Sequence, residues 1–160
     1  MTDWLARRTI GDQHEHTVKR ALEARGWTVH PCGQGTYPVP IQQALCHTPS
    51  ALRYFPDLIA ARGNELVTID AKARMPSTTS RNYAISHKCA LAGLQFMGVH
   101  APVPLYYVLG DLCVLTPAEV LYSTFHTLRP TSGAYHLVSS RLAFPFDDVF
   151  GTTTAYERAA

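Results

Sequence analysis

Apolar and polar positions along the chain change period several times, and each change marks an expected element. Over residues 12–25, Val18 and Leu22 recur at helical spacing and Gly26 follows, so a helix closing on that glycine is predicted. Glu15 shares the stripe of Val18 and Leu22. A carboxylate there needs either an edge from which it reaches water or a buried partner such as a metal ion. Trp27 to His30 reads as a short strand. From Pro31 to Pro49 glycine and proline interrupt every period, and the secondary structure is undetermined. Unstructured stretches of that length in compact domains commonly cover a site or contact substrate.

Asp57 to Arg62 and Leu66 to Ala73 are predicted as a strand hairpin turning at Gly63 and Asn64. Strand alternation then puts Asp70 and Lys72 on one face, with Ile69 and Ala71 on the other. Arg74 to Asn82 is polar and rich in breakers, the signature of an exposed loop. A second helix is expected from Tyr83 to Met97, with Ile85, Cys89, Ala92 and Phe96 inward, Lys88 and Gln95 on its margin, and Gly98 as its stop. Leu105 to Leu109 and Leu112 to Leu115 form an apolar hairpin about Gly110 and Asp111. Thr116, Pro117 and Glu119 make a capped start for a short helix running to about Phe125. A last strand is expected at Tyr135 to Ser139, and a frayed end over residues 152–160.

The chain has 160 residues, 46% hydrophobic and 16% charged, which suits one globular domain and excludes a disordered chain. Its net charge of +2 announces no polyanion partner. Local charge is more telling: between Ala71 and Gly110 there is no acid, while Lys72, Arg74, Arg81 and Lys88 fall in that stretch. Cys32, Cys46, Cys89 and Cys113 are scattered without a CxxC pair, as expected of reduced intracellular thiols. No apolar run reaches the ~20 residues of a membrane span, and Asp3, Arg7 and Arg8 stand where a signal peptide is apolar. A soluble, intracellular protein without a membrane partner is therefore expected.

Three acids and a lysine are thus candidates for one site: Glu15 on a helix, Asp57 at a strand start, Asp70 and Lys72 on the next strand. Hard Mg²⁺ prefers carboxylate and water oxygens, and a cationic lysine beside such a site can orient water or offset phosphoryl charge. Each residue has a plainer reading alone. Asp57 after Pro56 suits a turn, and Asp70 with Lys72 suits an exposed ion pair. Other chemistries fare worse. His14, Glu15 and His16 do not form HExxH, no Gly-rich phosphate loop is present, and Ser86 and His87 lack the context of a nucleophile elbow.

Pro56 and Asp57, twelve intervening residues, then Asp70, Ala71 and Lys72 resemble the motif that names the PD-(D/E)XK nuclease superfamily. The order of elements over residues 11–115 is similar as well. The resemblance implies an α/β, restriction-endonuclease-like core, a central mixed β-sheet flanked by helices. It implies metal binding by Asp57, Asp70 and the carbonyl of Ala71, with Glu15 binding directly or through water, and Lys72 assisting the attacking water. The expected cofactor is Mg²⁺, with Mn²⁺ able to substitute. The expected partner is DNA, contacted by Arg74, Arg81, Lys88 and Gln95. Compact members that resemble the chain include Holliday junction resolvases, which work as homodimers. A restriction- or repair-type endonuclease, or a non-cleaving nucleic-acid-binding protein of the same fold, stands as the alternative.

Overall fold

The computed structural model describes the backbone of residues 2–127 and 133–153, with side chains over residues 9–126 and 133–153. Helix α1 (Thr2–Glu23) begins ten residues earlier than its apolar period indicated. Gly11 lies within it rather than before it, because one glycine costs a helix only about 1 kcal/mol and does not stop it. Val18 and Leu22 are fully buried, and His14 joins them by donating from Nε2 to the Val108 carbonyl at 3.0 Å. Gly26, at φ 81°, ends the segment as expected.

Five strands form the central sheet, in the order β1 (Thr28–Pro31), β2 (Leu58–Arg62), β3 (Glu65–Lys72), β5 (Leu105–Leu109), β6 (Val114–Leu115). Strands β3 and β5 run parallel and the other neighbours antiparallel, so the sheet is mixed. The β2–β3 hairpin turns at Gly63 and Asn64, with Gly63 at φ 58° supplying the positive angle of a two-residue turn. One face of β3 (Val67, Ile69, Ala71) packs with Val18, Leu22 and Phe150 beneath α1. On the opposite side Leu105, Tyr107 and Leu109 of β5 enter a second core with Tyr83, Ile85 and Val138.

That second core belongs to a three-stranded sheet that the apolar pattern did not announce: β4 (Asn82–Ser86), β8 (Ala134–Ser139) and β7 (Thr124–Thr127). The helix expected from Tyr83 is therefore corrected, since its first residues are strand and helix α3 spans His87–Val99. Tyr83 and Ile85 are buried and Ala84 and Ser86 exposed, a period of two that five residues leave ambiguous until β8 pairs along the whole segment. Gly98 does not stop α3, which runs to Val99. The capping box at Thr116 forms, but helix α4 (Pro117–Leu121) stops short of Phe125 because β7 is recruited to the edge of β8. The strand expected at Tyr135 is present as β8.

The stretch left undetermined between Pro31 and Pro49 holds a 3-10 turn at Gln34–Thr36 and helix α2 (Val39–His47), which buries Leu45. A further 3-10 turn, Ala51–Tyr54, leads into Pro56 and Asp57. Helix α5 (Phe146–Phe150) closes the far end of the α1 face, where Trp27 donates to the Phe150 carbonyl at 2.9 Å. Of the expected frayed end, residues 154–160 lie outside the described residues.

Candidate active site

The end of β3 runs beyond its pairing with β2, whose register stops at Leu58 opposite Ile69. Asp70, Ala71 and Lys72 are held on the other edge by Tyr107, Val108 and Leu109 of β5. The freed Ala71 N–H is taken by Asp57, whose Oδ2 accepts it at 2.8 Å. Backbone groups of one strand residue leave by the same edge, so the Ala71 carbonyl also points toward Asp57 rather than into the ladder with β5. Lys72 Nζ donates to Asp70 Oδ2 at 2.9 Å and lies 4.7 Å from the centre of the Tyr107 ring, a cation over an aromatic face. Asp70 and Lys72 share a face as alternation predicted.

Glu15 sits half-buried on the flank of the α1 stripe, beside a cavity of about 370 Å³ that Asp57 and Ala71 also line. The three carboxylates feel one another. Burial, then Asp12 and Asp70, push the Glu15 carboxyl above its usual range. Burial and the Asp70 charge, with a smaller contribution from Glu15, lift Asp57 to about 8 against the opposing effects of the Ala71 N–H and Lys72. For Lys72, burial favours the neutral amine, but Asp70 leads a set of partners that more than offset it and raise its pKa. Lys72 is thus a fixed cation among acids.

The segment from Cys32 to Gly35 completes the site, and sequence reading assigned it no residue. The Cys32 and Gly33 N–H groups both donate to the Asp57 carbonyl, at 2.8 and 3.1 Å. Gly33 is there because of space: a Cβ on it would stand 2.7 Å from Asp57 Cα and 2.8 Å from Asp57 Oδ1. The Cys32 thiol donates to the Pro56 carbonyl at 3.3 Å, and burial, followed by the Asp57 and Glu15 charges, pushes its pKa to about 11. It is a packed, protonated thiol. Tyr107, the platform under Lys72, was read only as an apolar strand residue. The signal for Gly33 was its place 24 residues before Asp57, which means nothing until β1 and β2 pair.

Of the expected DNA contacts, Arg74 lines a second cavity, about 420 Å³, on the other side of Gly11, together with the catalytic candidate Lys72. Lys88 and Gln95 lie instead in a groove between α3 and the 51–54 turn, together with Arg53. Arg81 is exposed, at φ 59°, with its N–H donated to the Ser77 carbonyl at 2.9 Å.

Among the described residues no three His, Cys, Asp or Glu side chains form a ready-made metal cage. Mg²⁺ does not need one, since it keeps several waters and takes one or two carboxylates. Oxygen donors crowded until Asp57 retains a proton near neutrality suit a hard cation, which would replace that proton.

No protein-family model matches the chain, and no curated protein is similar to it in sequence. Among solved structures it is similar to a Holliday junction resolvase from the archaeal hyperthermophile Archaeoglobus fulgidus. The two share 17% identity over 88% of this chain and 100% of that one, with a TM-score of 0.51. The chain has the restriction-endonuclease-like fold. The end of β3 beside α1 is where Glu15, Asp57, Asp70 and Lys72 meet. Among the described residues no helix is long and apolar enough to cross a membrane.

Proposed function

We propose that the chain is a metal-dependent nuclease that hydrolyses DNA phosphodiester bonds, with Glu15, Asp57, Asp70 and Lys72 as its active site. The observation that carries this reading is the meeting of those four side chains at the end of β3 that extends beyond β2, in a fold shared with a resolvase. Asp57, Asp70, Glu15 and the Ala71 carbonyl would hold Mg²⁺ or Mn²⁺, which when bound would supply Lewis-acid polarisation of the phosphoryl oxygens and a more acidic water.

The chain's own residues do the rest. Lys72, kept charged by Asp70 and steadied over Tyr107, donates to the phosphoryl oxygens or to the attacking water and stabilises charge that grows in the transition state. Held between Asp70 and the Tyr107 ring, it acts as an electrostatic group. The Ala71 N–H fixes the Asp57 carboxylate, so that little reorganisation is needed on reaction. Arg74, with Arg81, Lys88 and Gln95 further out, holds the phosphate backbone. Cutting within the strand, a structure-defined substrate such as a four-way junction, and a homodimeric intracellular protein complete the reading. The likeness to a Holliday junction resolvase supports the four-way-junction part of that reading.

The test is cleavage of linear, single-stranded, flapped and four-way DNA with Mg²⁺ or Mn²⁺, comparing the wild type with Asp70→Ala and Lys72→Ala. Cleavage by the wild type that both variants lose is expected. No cleavage of any substrate, or equal cleavage by the variants, overturns the proposal.

A further inference from the structure

The two cavities that flank the end of β3 differ in chemistry. Both reach Gly11 of α1, but the one beside Lys72 is basic, with Arg74 in its wall. Among the described residues, the one beside Asp57 is lined by no lysine or arginine and carries Asp12 and Glu15. Its opposite wall is made of amides: Gln34 from the 3-10 turn, and Gln42 and Gln43 from α2, with Gly35 and Val39 giving flat or apolar surface between them. Two of these amides are oriented by the backbone. The Gln34 Nε2 donates to the Arg53 carbonyl, and the Gln42 Nε2 donates to the Tyr37 carbonyl at 2.7 Å. Gln43 is exposed at the rim.

A DNA strand laid across Gly11 therefore meets a basic cavity on one side and an acid-and-amide cavity on the other. Phosphate fits the first by charge, and meets the second only at the carboxylates, where a bound cation would offset their charge. What the amide wall of the second cavity suits is an uncharged planar group with hydrogen-bond donors and acceptors on its edge. At about 370 Å³ it is concave and near the lower end of the ~300–1,000 Å³ of small-ligand sites. Carboxamides pair with base edges because each offers both a donor and an acceptor. A base held in its own duplex must first be unpaired and unstacked, at a cost of about a few kcal/mol, before it enters a concavity beside the backbone, whereas an unpaired base enters at less cost.

Resting on the nuclease reading, we infer that the cavity walled by Gln34, Gln42 and Gln43 takes an unpaired nucleobase next to the phosphate at the carboxylates. The preferred substrate is then DNA with at least one unpaired nucleotide at the cut, and α2 is the element that selects it.

The experiment uses a duplex with one 2-aminopurine either bulged or paired, bound by the full chain with Ca²⁺ replacing Mg²⁺ so that turnover is suppressed. Two quantities are read: the protection of 2-aminopurine fluorescence from acrylamide, and the ratio of affinities for bulged over paired DNA. The expectation is protection of the bulged base alone and a preference that falls about tenfold in Gln43→Leu and further in the Gln42→Leu, Gln43→Leu double variant, the scale of one amide-to-base pairing. A variant that folds poorly lowers both affinities and leaves their ratio unchanged. A bulged base that stays open to acrylamide, or a preference that survives both substitutions, overturns the inference. Mg²⁺-dependent cleavage of bulged and paired DNA at equal rates would also overturn it while leaving the nuclease reading intact. Absence of all cleavage would remove the nuclease reading, with base protection still deciding whether the cavity binds a base.

Discussion

Replacing Gly33 with alanine tests whether the close approach of the Cys32–Gly33 backbone builds the site. The Gly33 conformation, φ −77° and ψ −176°, is one any residue adopts, so the substitution carries no backbone strain of its own. All of its effect is space. The new methyl would lie 2.7 Å from Asp57 Cα, 2.8 Å from Asp57 Oδ1 and 3.3 Å from the Pro56 carbonyl. Two of those three atoms are backbone, at the start of a strand paired on both sides, so the clash is not relieved by rotating a flexible side chain. Overpacking of this kind costs about 1–3 kcal/mol. At ~2–4 °C per kcal/mol for a chain of this size, Tm falls by roughly 2–12 °C. The relief that remains is for Asp57 to move, which breaks its 2.8 Å bond to the Ala71 N–H and displaces a proposed metal ligand. Misplacement of reacting groups by about 1 Å costs on the order of 10²-fold in rate. Thermal unfolding by circular dichroism and Mg²⁺-dependent cleavage read the two effects separately. Gly35→Ala is the control, since its methyl meets nothing closer than Glu15 Oε2 at 3.9 Å and should shift Tm by less than about 2 °C. A Gly33→Ala protein with wild-type Tm and wild-type cleavage would refute the reasoning.

Other consequences follow from the same contacts. The Asp57 carboxyl has a folded-state pKa of about 8 against 3.8 as its ordinary value, so the folded state holds the proton more tightly between them. The metal-free protein should lose this contribution to stability as pH rises from about 4 through 8. Asp57→Asn, which removes the charge, should lie nearest the wild type at or below about pH 4, exceed it at pH 9 in urea denaturation, and abolish cleavage; a variant less stable than the wild type at pH 9 contradicts the sign. Lys72→Met keeps the stem over Tyr107 but strips the counter-charge from Asp70, so stability should fall by about 1–3 kcal/mol and added Mg²⁺ should raise its Tm more than that of the wild type. Equal Mg²⁺ shifts in the two proteins would count against a shared acidic site. In Gly93→Ala the methyl would strike the Tyr107 hydroxyl and come within 2.9 Å of Pro117, for a loss of about 1–3 kcal/mol in chemical denaturation. Unchanged stability there would mean that α3 is not pressed against Tyr107. Gly11→Ala, mid-helix with nothing within 4 Å of its methyl, should instead stabilise by ~1 kcal/mol, and a lower Tm would contradict that open environment.

What was legible in the chain by itself was local. Two-residue alternation in β3 settled which side chains share the face of Asp70, because the pleat leaves no choice once a strand exists. The Gly63–Asn64 turn and the Thr116 capping box were readable because each is completed within a few residues. The helical spacing of Glu15 to Val18 and Leu22 placed that carboxylate at a core margin, where the structure has it.

Tertiary structure decided what depends on distant partners. Tyr83 to Ser86 carried a pattern short enough for helix or strand, and pairing with β8, distant along the chain, made it strand. Thr124 to Thr127 was drawn from the end of α4 by the same strand. Gly33 and Tyr107 belong to the candidate site only because β1 lies on β2 and β5 on β3, contacts with no trace in local sequence. The acids were visible in the sequence. That three carboxylates crowd closely enough for burial and mutual repulsion to hold a proton on Asp57 follows from the fold, since desolvation and charge depend on distance through space rather than along the chain.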